Sequence, residues 1–115
     1  MSDNTERFPE DNRLNKPSDF KKVFTTAQRY ADKKILVLAR KNDMECARLG
    51  LAISAKRIRT AVRRNKVKRI IRESFRRNKD RLKGLDIVVV AQNNADKENS
   101  AHLRQVLSGL WDKLA

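Results

Sequence analysis

The run Arg64-Asn65-Lys66-Val67-Lys68-Arg69-Ile70-Ile71-Arg72-Glu73-Ser74-Phe75-Arg76 is the part of this chain whose residue types and spacing speak most directly of chemistry. Wound at the helical period, it separates into two faces. Val67, Ile70, Ile71, Ser74 and Phe75 gather on one side, and Asn65, Lys68, Arg69, Arg72 and Arg76 on another. Arg64 and Lys66 flank the start of that second face. A helix of this kind docks its apolar side on a core and lays a row of cations along a polyanion. Nucleic acid is the polyanion that best matches such a row.

The charge of the whole chain points the same way. Its 115 residues carry a formal charge of +14. Residues 56 to 83 hold 14 Lys and Arg against Glu73 and Asp80, a net +12, and the other 87 residues carry +2. Like charge concentrated in one segment destabilises the fold by self-repulsion, steers association with phosphates and makes binding salt-sensitive.

Candidates for catalysis are few. His102 is the sole histidine, and no Asp or Ser is spaced to partner it. It reads as a surface residue. Cys46, the one cysteine, sits in a polar stretch beside Glu45 with no patterned cation to lower its pKa, and no disulfide within the chain is possible. Glu73 reads as an intrahelical partner of Arg69, Arg76 or Arg77 rather than a catalytic carboxylate. No acid pair has metal-ligand spacing, and three glycines cannot make a glycine-rich phosphate loop. The sequence therefore predicts neither catalytic nor metal-binding residues.

Binding features are stronger. Phe20 and Phe24 stand one turn apart, placed either in a core or where a single-stranded base stacks. Gly50, Ala52 and Ser54 alternate along a strand and give it a small-residue face, which leaves room for a groove unless the first helix fills it. Lys56 and Arg57 follow at that strand's end, placed to hold phosphates.

These residues need elements to position them. A polar, acidic leader over residues 1–12 reads as flexible, and 13–115 as a single domain. A helix begins near Ser18 as N-cap, with Phe20, Val23, Phe24 and Ala27 at helical spacing. Residues 33–40 read as a strand, Lys41 to Cys46 as a hairpin loop, and 48–54 as a strand alternating Leu49, Leu51 and Ile53 against the small residues. Thr60 caps the long basic helix, predicted to run to about Leu82 with Gly84 in its C-terminal cap region. Residues 86–91 read as a strand buried on both faces, and 100–114 as a helix with Leu103, Val106, Leu107, Leu110, Trp111 and Leu114 at core spacing. The order is α-β-β-α-β-α, with a further short strand allowed near the hairpin, and the class an α/β (α+β) two-layer sandwich. No secretory signal or membrane-length apolar run is present, so the cytoplasm is the expected compartment.

Three motifs together resemble the protein subunit of bacterial ribonuclease P. Arg13-Leu14 with Asp19-Phe20-Lys21-Lys22-Val23-Phe24 looks like that family's first helix. Arg48-Leu49-Gly50-Leu51-Ala52-Ile53-Ser54-Ala55-Lys56 looks like its second strand. The run from Arg64 to Arg76 looks like its signature helix. Beyond these three, Leu110-Trp111-Asp112-Lys113 also looks like its last helix. The resemblance implies a subunit that joins a large catalytic RNA to remove the 5′ leader of precursor tRNA. The RNA would hold most of the active site and its Mg²⁺. Contacts to that RNA would come from Arg64, Asn65, Lys66, Lys68, Arg69, Arg72 and Arg76. The leader would lie between the first helix and the sheet, near Phe20, Phe24, Ser54, Lys56 and Arg57. Neither membrane nor DNA is an expected partner.

The resemblance also implies a left-handed βαβ crossover, against the right-handed one that general rules predict. Three departures stand out: Lys66 where the family usually has Arg, Leu38 where some members have an aromatic, and Gln92-Asn93 where basic residues are common. They imply a point-charge contact in place of a bidentate one, a missing stacking platform and a looser cleft. Two other classes remain open on the residues alone. A structural protein of the ribosomal type would bind ribosomal RNA without affecting leader cleavage. A DNA-binding regulator would dimerise and prefer duplex DNA.

Overall fold

The computed structural model describes residues 17–32, 34–42, 44–92, 95 and 99–114. The expected leader and the Arg13-Leu14 pair lie outside them. The elements run α1 (Pro17–Thr26), β1 (Gln28–Asp32), β2 (Ile35–Lys41), β3 (Arg48–Ala52), α2 (Ala61–Asn78), β4 (Leu85–Ala91) and α3 (Ser100–Leu114). Helix α1 already includes Pro17, so Ser18 lies inside the first turn rather than capping it. Proline suits that position, since its φ is preset for a helix and the first turn has no use for its missing N–H.

The four strands form one sheet in the order β1-β2-β4-β3. This corrects the hairpin predicted over Lys41 to Cys46. Strands β2 and β3 do not pair, because β4 lies between them, antiparallel to β2 and parallel to β3. The tight hairpin joins β1 to β2 instead, pairing Tyr30 with Val37 and Asp32 with Ile35. Strand β1 has the polar sequence QRYAD, so apolar alternation does not reveal it. Its position at the sheet edge explains that composition, because an edge strand packs little and is protected by charge.

Alternation assigns the two faces of the sheet. Ile35, Val37, Ala39, Leu49, Ile87, Val89 and Ala91 belong to the main core. Helices α2 and α3 cover this face with Val67, Ile70, Ile71, Phe75, Leu103, Leu107, Leu110 and Trp111. The Phe75 and Trp111 rings meet edge to face at 6.1 Å, a geometry favoured by the ring quadrupoles. The indole Nε1–H donates to Ser74 Oγ at 2.8 Å. That bond accounts for a hydroxyl on the apolar side of α2, since a buried indole N–H needs an acceptor.

The opposite face is thinner. Val23 of α1 packs on Leu38 and Val88, with Phe20, Ala27, Leu36, Ala52 and Val90 partly buried around them. Strand β4 is therefore apolar on both sides, as its unbroken Ile-Val-Val-Val implies.

Helix α2 stops at Asn78, short of the predicted Leu82. Asn78 turns its side chain back, Nδ2 donating to Ser74 O at 2.7 Å. Turns over 79–83 follow, with bonds from Arg81 N to Asn78 O and from Leu82 N to Lys79 O. Gly84 has φ +82°, the left-handed conformation that favours glycine. Its backbone serves the loop before β3 rather than a helix cap: its N–H donates to Cys46 O, and its carbonyl accepts from Asn42 N.

Candidate nucleic-acid interface

Helix α2 presents its cations because its other side is fixed. Val67, Ile70, Ile71 and Phe75 are buried, which leaves Asn65, Lys68, Arg69, Arg72 and Arg76 on the side away from the core. Asn65, Lys66, Arg69 and Arg72 are exposed, and Lys68 and Arg76 half-buried. Thr60 caps the helix as expected, its Oγ1 accepting from Arg63 N at 3.3 Å. Glu73 pairs with Arg69 at 3.8 Å, one of the three partners foreseen for it. The ion pair is long and partly exposed, so it leaves the stripe strongly positive.

Arg64 differs from its neighbours. Its Nη1 donates to the carbonyls of Ile58 at 2.8 Å and Arg59 at 3.0 Å. The side chain fastens the loop that leads into α2, and the buried Ile58 pins that loop from below. Arg64 thus supports the basic face as well as adding charge to it.

The second candidate region is the thin face of the sheet. The register aligns Ala31, Leu36, Val90 and Ala52 in one row across it, and Arg29, Leu38, Val88 and Gly50 in the next. Gly50 and Ala52 of β3 lie on this face, whereas the strand stops at Ala52, short of the predicted Ser54, which falls in the segment beyond it. Helix α1 covers the row through Leu38, which is 1% exposed. Leu38 is therefore part of the floor under α1 and is not an open platform. The two phenylalanines part company: Phe20 packs on this small core, whereas Phe24 is 44% exposed.

At one end of the face the chain turns after β3. Ser54 O accepts from Arg57 N and from Ile58 N. Ser54 Oγ also accepts from Arg57 N, at 3.3 Å, so the hydroxyl helps to shape the turn. Lys56 and Arg57 project from that turn and are exposed. Arg57 Nη1 donates to Gln92 Oε1 at 2.8 Å, a contact that sequence reasoning missed. No local pattern could have shown it, since the partners are 35 positions apart.

At the other end lies a buried carboxylate. Asp86 is 5% exposed and accepts from Arg48 Nε at 2.8 Å, Arg48 Nη2 at 2.7 Å and Asn42 Nδ2 at 2.9 Å. This fork-to-fork pair gives Arg48 a structural task in holding parallel β3 on β4. Asp86 was legible only as the start of a strand.

The residues considered for catalysis are dispersed. His102 is half-buried in the first turn of α3, its backbone N–H donating to Asn99 Oδ1. Cys46 lies in the loop before β3. Among the described residues no three His, Cys, Asp or Glu side chains gather as metal ligands. Nor is any helix among them long and apolar enough to cross a membrane.

With this geometry in place, known proteins offer a direct comparison. The family model described as Ribonuclease P matches residues 8–115. The ribonuclease P protein component of Methylococcus capsulatus is 46% identical over 104 residues, covering 90% of this chain and 81% of the relative. That of Aliivibrio fischeri is 42% identical over 108 residues, covering 94% and 92%. Among solved structures, the RNase P protein of Thermotoga maritima superposes with a TM-score of 0.82 at 34% identity, covering 90% of this chain and 100% of that one. Matched along nearly its whole length in sequence and in backbone, this chain belongs to the ribonuclease P protein-component family.

Proposed function

We propose that the chain binds the catalytic RNA of bacterial ribonuclease P through α2 and holds the 5′ leader of precursor tRNA on the thin face of the sheet. It would thereby promote endonucleolytic removal of the leader in the cytoplasm. The observation that carries this reading is the α2 stripe: Asn65, Lys68, Arg69, Arg72 and Arg76 on the side away from a fully packed core. Such a row neutralises successive phosphates and releases their counterions. Lys66 adds a point charge at its edge, and Arg64 fastens the loop that leads into the helix.

The leader runs beside α1. Phe24 offers its ring to a base, Phe20 forms the floor, and Lys56 and Arg57 meet phosphates at the end of β3. Ser54 contributes by fixing the turn that carries them. Mg²⁺ held mainly by the RNA would supply the hydrolytic chemistry, a water nucleophile and stabilisation of developing charge. The protein's own share is binding and orientation of the two RNAs.

The test adds the purified protein to a bacterial ribonuclease P RNA and follows cleavage of precursor tRNA at low Mg²⁺. The expected result is accelerated leader removal by the mixture and none by the protein alone. A mixture no faster than the RNA alone would refute the proposal.

A further inference from the structure

Arg57 and Gln92 come from different elements, yet both are held in place before any ligand arrives. Arg57 sits on a turn whose N–H groups bond Ser54 and whose next residue, Ile58, is 1% exposed. Gln92 directly follows β4, its N–H donating to Lys34 O at 2.7 Å and its carbonyl accepting from Ala95 N at 3.2 Å. Alternation continued from Val88 and Val90 sets Gln92 on the thin face, on the same side as Ala52. Between these two fixed backbones runs the 2.8 Å bond from Arg57 Nη1 to Gln92 Oε1.

The chemistry of the pair is one-sided. Guanidinium is only a donor, so the amide atom that meets it must be the oxygen. The two N–H groups of the amide, again donors, are left for a ligand. The remaining Arg57 N–H groups are donors as well. The matching ligand offers acceptors only, and a phosphodiester does so whatever its base. We infer that Gln92 is a positioning residue that orients Arg57, so that together they grip one phosphodiester of the leader without reading its sequence. This rests on the proposed leader cleft. It also reverses the looser cleft expected from having Gln92 where basic residues are common. A cation there would repel Arg57, whereas the amide holds it.

The experiment measures binding of leader-bearing and leaderless precursor tRNA to the reconstituted holoenzyme across a salt series. The variants are Arg57→Ala, Gln92→Ala, their double and Gln92→Lys, with unfolding midpoints as folding controls. Arg57→Ala is expected to weaken leader-bearing substrate about tenfold and to lower the salt slope by about 0.7, the value for one single-strand phosphate contact. Gln92→Ala is expected to weaken the same substrate roughly three- to tenfold, and to add little once Arg57 is gone. It should also reduce the salt slope, although it removes no charge. Gln92→Lys is expected to bind less tightly despite its added charge.

Tighter binding by Gln92→Lys, or an unchanged salt slope in Gln92→Ala, would overturn the inference while leaving the cleft intact. If Arg57→Ala had no leader-dependent effect, the cleft reading and this inference would both fall.

Discussion

Phe24→Ala and Phe20→Ala separate an exposed ring from a packed one. Truncating a fully buried phenylalanine costs about 3–5 kcal/mol. Phe24 keeps 44% of its surface exposed, so only about half of that loss applies. Alanine also favours a helix over phenylalanine by about 0.5 kcal/mol. The stability loss expected for Phe24→Ala is therefore about 1–2 kcal/mol. Phe20 packs against the small core of Val23, Leu38 and Val88, and its loss should approach the lower end of the buried range, about 3 kcal/mol.

Substrate binding should show the reverse order. A base stacked on Phe24 contributes about 1–3 kcal/mol, a five- to 150-fold change in affinity at about 1.4 kcal/mol per tenfold. The assay pairs urea unfolding of the free protein with holoenzyme binding of precursor tRNA carrying either a leader of several nucleotides or none. The expected pattern for Phe24→Ala is a small fall in midpoint and a large loss confined to leader-bearing RNA. Equal losses on both substrates would refute stacking. A Phe24 stability loss as large as that of Phe20 would refute the exposure argument.

Three further outcomes follow from the same geometry. The triple variant Lys68→Ala, Arg72→Ala, Arg76→Ala should lower the salt slope of assembly with the catalytic RNA by about 2–3, and an unaltered slope would remove α2 from that interface. Asp86→Ala removes the bidentate carboxylate that Arg48 grips, with the Arg48 side chain 20% exposed, and should cost about 2–4 kcal/mol by denaturant titration. Replacing Arg48 by Met in the same chain should recover part of that loss, and a double variant no more stable than Asp86→Ala would contradict the account. His102→Ala and Cys46→Ser should leave single-turnover cleavage by the holoenzyme unchanged, which a large loss with intact folding would disprove.

Elements whose burial is periodic were readable from the chain. Val67, Ile70, Ile71 and Phe75 mark α2, because core and solvent impose their period on a helix, and Leu49 against Gly50 and Ala52 marks the two faces of β3, because its large and small residues alternate. Strand β1 was not readable, since its QRYAD sequence is polar and carries no apolar alternation. The false hairpin over Lys41 to Cys46 has another cause. Sequence shows that two strands are joined by a short polar loop, but not that a later strand will separate them. For the site, charge and spacing brought out the stripe on α2, because repetition is visible along one helix. The Arg57–Gln92 and Arg48–Asp86 pairs are single contacts between distant segments, and no periodicity reports them. The different roles of Phe20 and Phe24 depend on how α1 is rolled on the sheet, and both residues fit the same helical spacing.

The central place of β4 also orders events in time. As the chain leaves the ribosome, β1 and β2 can close their hairpin at once, but β3 emerges with no partner on either side. It waits for α2 and then for β4, whose Leu85–Ala91 supplies the backbone for both β2 and β3. Closing such distant pairings is the slow part of assembling a sheet. Until it happens, α2 has no finished surface beneath Val67, Ile70 and Phe75, and its cations are strung on an unsettled segment. The nascent protein is thus already polycationic before it has a shape to offer RNA, and only the last strand and the helix after it turn that loose charge into an aligned face.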